Sequence, residues 1–309
     1  MMTEEVFYKE TVVLYLNYNS AEMVINSVKE LRKNYLGDII IVDNASAQED
    51  KKNLEVLSGT EGIRILYNTE NGGYAKGNNF GVRWIAKNMQ YKKYVVIVNP
   101  DIIVFDDILR KMYKVMEKKR NIAVLSSLIL FNGSDRGLQD FGWRLPDRVT
   151  LIFGDTHIGK RLHINVNRLY DRINHSRVIQ YVDVVPGCFF MARIESFINV
   201  GLFDERTFLY YEEHILAEKI KKKGLKEAIF LDGQVNHEHA AKDQGLIDMD
   251  KHYIDRKTHI ISKEVYIKYF CGLSKLVKVM ALGMGRIDIL LRKMILIGCK
   301  MLNINVSCR

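Results

Sequence analysis

TVVLYLN at residues 11–17 and DIIIVDN at residues 38–44 are short β-branched runs that each end in polar residues, separated by a helix-compatible stretch opening at Ser20. Their order is strand, helix, strand. The pattern recurs downstream. IRILYN (63–68) and YVVIVNP (94–100) frame a helix predicted from Asn78 to Asn88, a further helix is expected after a cap at Asp106, and IAVLSSLIL (122–130) reads as another strand. Apolar runs without strict alternation predict strands covered on both faces, and alternation with helices predicts a mostly parallel α/β sheet. The first 130 residues therefore read as one nucleotide-binding-type unit.

Residues 132–180 are polar and irregular and carry no clear element. VDVVPGCFFMAR (182–193) returns to strand character, and YEEHILAEKIKKKG (211–224) reads as a helix with acids first, lysines last and Gly224 as its stop. That charge order suits the helix macrodipole. After AIFLDGQVNHEH (228–239) the chain is predicted helical and basic to its end. The organisation expected is a domain over residues 1–240, with halves meeting near residue 130, and a helical extension over 241–309.

The chain has 309 residues, 48% of them hydrophobic and 27% charged, enough to bury a large core and too apolar for disorder. Four cysteines without a CxxC pair (Cys188, Cys271, Cys299, Cys308) argue against a disulfide framework and a thiolate zinc site. The opening MMTEEVFYKE lacks the basic and apolar regions of a secretory signal, so a cytoplasmic location is expected. The net charge of +9 resides in residues 251–309, which hold 12 Lys and Arg against 3 Asp and Glu; the rest is neutral. This tail is also rich in Leu, Ile, Val and Met, which separates it from a polybasic nucleic-acid arm. Ile287, Leu290, Leu291, Met294, Ile295, Met301 and Leu302 fall on one helical stripe, while Asp288, Arg292, Lys293 and Lys300 fall largely on the other side. Charges at Lys278, Arg286, Asp288, Arg292 and Lys293 interrupt every window long enough to span a bilayer. Such a helix either packs on its own domain or lies on a membrane surface.

In open α/β sheets ligands bind outside the carboxyl ends of the strands. Those ends here carry Asn17, Tyr18 and Asn19; Asp43 and Asn44; the segment Asn68 to Gly77; and Asn99, Pro100 and Asp101. NGGYAKGNN (71–79) is a glycine-rich loop entering a helix, a geometry whose backbone N–H groups can meet phosphate oxygens. It is neither a Walker loop nor a dinucleotide fingerprint, which argues against NAD. Asp101, directly after the strand VVIV, is either a helix cap or a carboxylate for a hard cation whose other ligands come from a diphosphate. Glu212 and Glu213 at a helix start suit the macrodipole and a general-base role alike. His237 and His239 flank Glu238, but HEHAA is not HExxH, so a single histidine completing a metal or diphosphate site is the functional alternative to a zinc hydrolase.

Taken in order, LNYN, IVDNAS, NGGYAKGNN, NPD, PGCFFMAR, GLFDERTFLYYEEH and VNHEH closely resemble the family 2 glycosyltransferases of inverting GT-A type, especially the rhamnosyltransferase-like branch of bacterial surface-polysaccharide synthesis. The match covers residues 10–240. The resemblance implies a Rossmann-like GT-A fold, a nucleoside diphosphate sugar as co-substrate and a divalent cation, Mg²⁺ or Mn²⁺. It places Asn17, Tyr18, Asn19, Asp43 and Asn44 around the nucleotide, with Asp43 as partner of the base. Asn71, Gly73, Lys76 and Asn79 match the loop beside base and diphosphate. NPD stands where many relatives have DxD, so Asn99 belongs to the donor site and Asp101 to the metal, together with His237. Glu213 matches the catalytic base and Glu212 the acid before it, with Asp204 also on the acceptor side. Two later family positions, an aspartate and an arginine, are Ile215 and Lys219 here. The implied partners are a nucleotide-sugar donor, a glycan or lipid-linked glycan acceptor, and the inner membrane leaflet through the basic helices, with no nucleic acid. Three rivals are a nucleotidyltransferase, which would carry its glycine-rich loop near the first strand, a non-catalytic sugar-nucleotide or polysaccharide-binding protein, and a nucleic-acid-binding module, whose salt-dependent affinity would reside in residues 251–309.

Overall fold

The computed structural model describes residues 4–105, 107–137, 141–164, 168–238 and 249–301. The expected cap Asp106, His239, the 240/241 boundary, Leu302 and Cys308 lie outside the described residues, as does the side chain of Lys300. The chain runs through α1 (Glu4–Glu10), β1 (Thr11–Asn17), α2 (Ala21–Leu31), β2 (Asp38–Asp43), α3 (Gln48–Leu54), β3 (Ile63–Tyr67), α4 (Gly73–Asn88) and β4 (Tyr94–Val98). It continues through β5 (Ile102–Val104), α5 (Ile108–Lys118), β6 (Ile122–Phe131), β7 (Ser134–Asp135), β8 (Trp143–Arg144), α6 (Arg148–Phe153), α7 (His157–Arg161) and β9 (Arg168–Leu169). The last elements are β10 (Ile179–Val182), β11 (Phe189–Arg193), α8 (Ile194–Asn199), α9 (Glu212–Lys222), β12 (Lys226–His237), α10 (Met249–Tyr269) and α11 (Lys275–Met301).

One mixed sheet has the order β10-β12-β6-β11-β4-β1-β2-β3. Strands β3, β2, β1 and β4 are mutually parallel, the order of a mononucleotide-binding half. Alternate residues of these strands feed two cores. Val13, Tyr15, Ile39 and Ile41 pack with α2 and α5, whereas Val12, Leu14, Ile40 and Val42 pack with α4, α8 and α9. Both faces are thus covered, which is why the strands read as unbroken apolar runs. Antiparallel β11 separates β4 from β6, so the Gly187–Cys188 turn before β11 sits at the carboxyl end of β4. Parallel β12 then runs beside β6 and brings His237 level with Phe131 and Ile102.

Several elements differ from the sequence expectation. Helix α4 begins at Gly73, five residues before Asn78, because Gly73 adopts φ 80° and lets the chain turn straight into the helix. Gly77 is then a helix-interior residue that seats α4 on the sheet; a Cβ there would stand 2.5 Å from Leu16 Cδ1. The expected strand over 182–193 is two strands, β10 ending at Val182 and β11 beginning at Phe189. Residues 132–180 hold only short elements, among them α6, closed by an Asp147–Thr150 capping box.

Helices α10 and α11 pack against each other, and α11 also packs on α6. Tyr266, Ile267, Val277 and Ala281 share one buried cluster with Leu151, Ile152, Tyr211 and Ile215. Helix α11 meets the body along the edge that carries Val277, Ala281 and the 3%-exposed Asp288, which pairs with Arg292 at 2.5 Å and accepts the His157 N–H at 2.5 Å. Its apolar stripe points outward: Leu290 is 60%, Met294 69% and Met301 81% exposed. No described helix is long and apolar enough to cross a membrane.

Candidate active site

Two closed hydrogen-bond nets organise the carboxyl ends of β1, β2 and β3. Asn17 Nδ2 donates to Asp43 Oδ1 (3.0 Å), Ser46 Oγ (3.2 Å) and Asp50 Oδ2 (2.7 Å), while its Oδ1 accepts from Ser20. Asp50 Oδ1 in turn accepts the Ala21 N–H at 2.9 Å and caps α2, while Ser20, at the N-cap position itself, makes no side-chain capping bond. Asn17 and Asp43 are fully buried, so they form the floor of this edge. Tyr18 is exposed beside them, and Asn19, at φ 52°, receives the Ala47 N–H on its Oδ1. In the second net Asn44 Nδ2 donates to Asn71 Oδ1 (2.8 Å) and the Gly73 carbonyl (3.2 Å), and Asn44 Oδ1 accepts from Asn68 (3.0 Å). This net fixes the entry to α4.

Two loop residues face elsewhere. Lys76 is exposed and ion-paired with Glu70. Asn79 is buried and clamps the segment after α8, donating to the Phe203 carbonyl (3.1 Å) and Glu205 Oε1 (2.9 Å) and accepting the Phe203 N–H (3.1 Å). Asn79 therefore braces the segment after α8, because its position on α4 points it across to that segment. Gly73 also lies against the chain before α9: a Cβ there would lie 2.1 Å from the Phe208 carbonyl oxygen.

Next along the edge, the Asn99 N–H donates to the Cys188 carbonyl at 2.8 Å. Asp101 Oδ2 lies 3.0 Å from His237 Nε2, and the Asp101 carbonyl accepts the Glu238 N–H at 2.7 Å. Among the described residues no group of three or more His, Cys, Asp or Glu side chains is placed to hold a metal ion. One carboxylate and one imidazole nonetheless fit a hard cation that takes its remaining oxygens from a diphosphate.

Glu213, at the start of α9, rests against Gly187, where a Cβ would stand 2.4 Å from Glu213 Oε1. Tyr74 reaches the same turn, its hydroxyl donating to the Gly187 carbonyl at 2.5 Å. Burial pushes the Glu213 carboxyl above the usual glutamate range, only partly opposed by backbone N–H groups that include Gly187. Glu212 rises further, through burial and then the Glu213 charge, and its Oε2 has no hydrogen-bond partner. Of the pair, Glu212 therefore holds a proton more readily, and Glu213 is the more readily ionised carboxyl. His214 is neutral, pushed down to about 3 by burial, and accepts the Trp143 indole N–H on Nε2 at 3.1 Å.

Family 2 glycosyl transferases are matched over residues 12–197. The chain belongs to that family. It is similar to rhamnosyltransferase WbbL of Escherichia coli (strain K12), with 27% identity over 157 residues, 50% of this chain and 56% of that relative. It is also similar to the low-salt glycan biosynthesis hexosyltransferase Agl10 of Haloferax volcanii, 22% identical over 213 residues, 69% of this chain and 62% of that relative. The matched part is thus less than two thirds of either relative's length. Among solved structures, GalNAc-T7 with UDP, GalNAc and Mn²⁺ superposes with a TM-score of 0.59 at 15% identity over 84% of this chain and 48% of that one. The mannosyltransferase PcManGT of Pyrobaculum calidifontis, with GDP-Man and Mn²⁺, gives 0.56 at 14% identity over 94% and 75%. These likenesses establish the GT-A fold.

The two departures from the family pattern have structural explanations. Ile215 is fully buried against the cluster shared with α10. Lys219 Nζ donates to the Gly201 and Leu202 carbonyls at 3.2 and 2.9 Å and so secures the turn before Phe203. Asp204 is held in a two-point pair by Arg206 (2.8 and 2.7 Å), whose guanidinium lies 3.9 Å over the Tyr269 ring of α10. Four contributors escaped the sequence reading: Ser46, Asp50, Tyr74 and Gly187. Only Gly187 carries a local signal, the Pro-Gly step before a strand.

Proposed function

We propose that this chain is an inverting glycosyltransferase that moves a sugar from a nucleoside diphosphate donor, dTDP-rhamnose or a UDP-sugar, to a lipid-linked or polysaccharide acceptor in surface-glycan assembly (capsule, O-antigen or cell wall). Residues 1–240 are the transferase domain and residues 241–309 an extension whose helices α10 and α11 pack on it. The observation that carries the reading is the placement of the Glu213 carboxylate against Gly187, on the same sheet edge as Asp101, His237 and the entry to α4.

In this reading the nucleotide lies over Tyr18, Asn19, Asn44, Asn71 and Gly73, on the floor made by Asn17 and Asp43. Asp101 and His237, beside Asn99, would hold a divalent cation together with the donor diphosphate. A cation bound there supplies Lewis-acid stabilisation for the charge of the departing diphosphate. Glu213 takes the proton of the acceptor hydroxyl as that oxygen forms its bond to the anomeric carbon and the bond to the diphosphate breaks. A single displacement of this kind inverts the anomeric configuration. Glu212 and Asp204 border the acceptor side.

The outward apolar stripe of α11 supports a peripheral seat on an anionic leaflet. Lys275, Arg286 and Lys293, eleven and seven residues apart, run along one border of that stripe. Each such basic residue near an anionic surface adds about 1 kcal/mol. In flotation with anionic vesicles the protein is expected in the lipid fraction, and a Leu290→Glu/Met294→Glu variant in the soluble one. Equal partitioning of both would refute the membrane seat.

Thermal unfolding with UDP, dTDP, GDP or CDP, with and without Mn²⁺ or Mg²⁺, tests the donor site. A ligand at 100 times its Kd adds about 2.7 kcal/mol. A metal-dependent shift with dTDP or UDP is expected; no shift with any nucleotide would overturn the transferase reading.

A further inference from the structure

Tyr210 and Tyr211, immediately before the glutamate pair, both lie in the left-handed region, at φ 74° and 63°. Consecutive non-glycine residues there are strained, and such strain persists only where surrounding contacts over-determine it. The contacts come from two segments outside the site described so far, the end of α6 and helix α10. Tyr211 donates its hydroxyl to Asp155 Oδ2 at 2.6 Å. Lys263 Nζ of α10 lies 3.3 Å from the same oxygen, and His259 Nε2 lies 3.7 Å from Asp155 Oδ1. Tyr210 donates its hydroxyl to Asp255 of α10, and Ser262 Oγ donates to the Leu209 carbonyl at 2.7 Å.

Tyr211, Asp155 and Lys263 are all more than nine-tenths buried. Burial opposes the Asp155 charge, but Lys263, His259 and the Tyr211 hydroxyl outweigh it and hold its carboxyl below the usual range. A buried ion pair adds little net stability compared with apolar packing of the same volume. What this one does is geometric: it ties the last residue before Glu212 to a helix of the C-terminal extension.

We propose that Asp155, braced by Lys263, is a positioning residue for the base, holding Tyr211 in the left-handed conformation that sets Glu213 against Gly187. The inference rests on the reading of Glu213 as base and makes α10 part of the catalytic scaffold. Tyr211→Phe removes a single buried oxygen and is the first variant to make. Its kcat is expected to fall on the order of 10- to 100-fold with donor KM within about twofold, since small misplacements of a reacting group act on rate. Asp155→Asn is expected to match it, and the double variant to be no slower than the slower single one. Amide exchange at residues 210–214 is expected to accelerate in Tyr211→Phe while exchange in β1 to β4 stays unchanged. Wild-type kcat in Tyr211→Phe, multiplying effects in the double variant, or unchanged exchange at 210–214 would each overturn the proposal. Absence of donor turnover by the wild-type protein would instead remove the base assignment, and the exchange measurement would still decide whether Asp155 holds the turn.

Discussion

The two halves of the cleft are built on opposite terms. On the nucleotide side, Asn17 and Asn44 each satisfy several neighbours, and the buried polar side chains of both nets have partners, with Asn78 Oδ1 on the adjoining helix the exception. On the base side, Glu212 Oε2, His214 Nδ1 and His259 Nδ1 are buried without a hydrogen-bond partner, and two tyrosines sit in the left-handed region. Satisfied nets give rigidity, whereas unsatisfied buried groups and strain raise local free energy. On the proposed function the donor half is therefore a preformed seat, and the energetic tension is concentrated where the proton would be moved. A variant of one half should lose activity before stability, and a variant of the other half stability before activity.

Glu213→Gln gives the largest expected effect. Loss of a general base lowers kcat by about 10³-fold, while nucleotide-dependent thermal shifts remain. The raised Glu213 pKa fixes the sign of the pH terms. Because the folded state favours the protonated form, its stabilising contribution is full below the unfolded pKa and is lost as pH rises through the raised folded value. At pH 8 the variant should thus unfold at a temperature no lower than wild type, with the advantage shrinking as pH falls towards the usual glutamate range. The wild-type pH profile of kcat/KM should show its acid limb above that range. An active Glu213→Gln, or one that loses stability along with turnover, would erase the contrast between the halves.

How far the sequence foretold this arrangement follows the same division. The parallel core was readable because Val12 to Tyr15, Ile39 to Val42 and Val95 to Val98 are buried on both faces, so hydrophobicity alone marks them. The polar strand ends were readable because turns and sites both collect Asn, Asp and Gly there. Directions were not readable. Asn79 turns to Phe203, 124 residues away, and nothing local in NGGYAKGNN encodes that. The stripe on α11 was visible as a pattern, but a helical wheel does not say which side meets the body; here Asp288 faces in and Leu290 faces out. The Asp155–Tyr211–Lys263 contact joins three segments separated by dozens of residues, each unremarkable by itself.

Asn17→Ala breaks the comparison from the other side, with a smaller effect. The substitution removes three donor bonds, to Asp43, Ser46 and Asp50, and leaves the buried Asp43 carboxylate with only the Ser46 N–H at 3.2 Å and a Lys51 ammonium 3.9 Å away. An unsatisfied buried acceptor costs 1–3 kcal/mol and a charged one more, so a loss of about 3 kcal/mol in denaturant unfolding is expected. The same change loosens the α2 cap, because Asp50 is then held only through its bond to the Ala21 N–H. Since Asn17 is fully buried, saturating donor should restore kcat to within a few-fold of wild type even though donor KM rises, the remaining cost being that of re-forming the seat. A drop in kcat as deep as that of Glu213→Gln would make Asn17 a participant in the chemistry and the nucleotide half more than a seat.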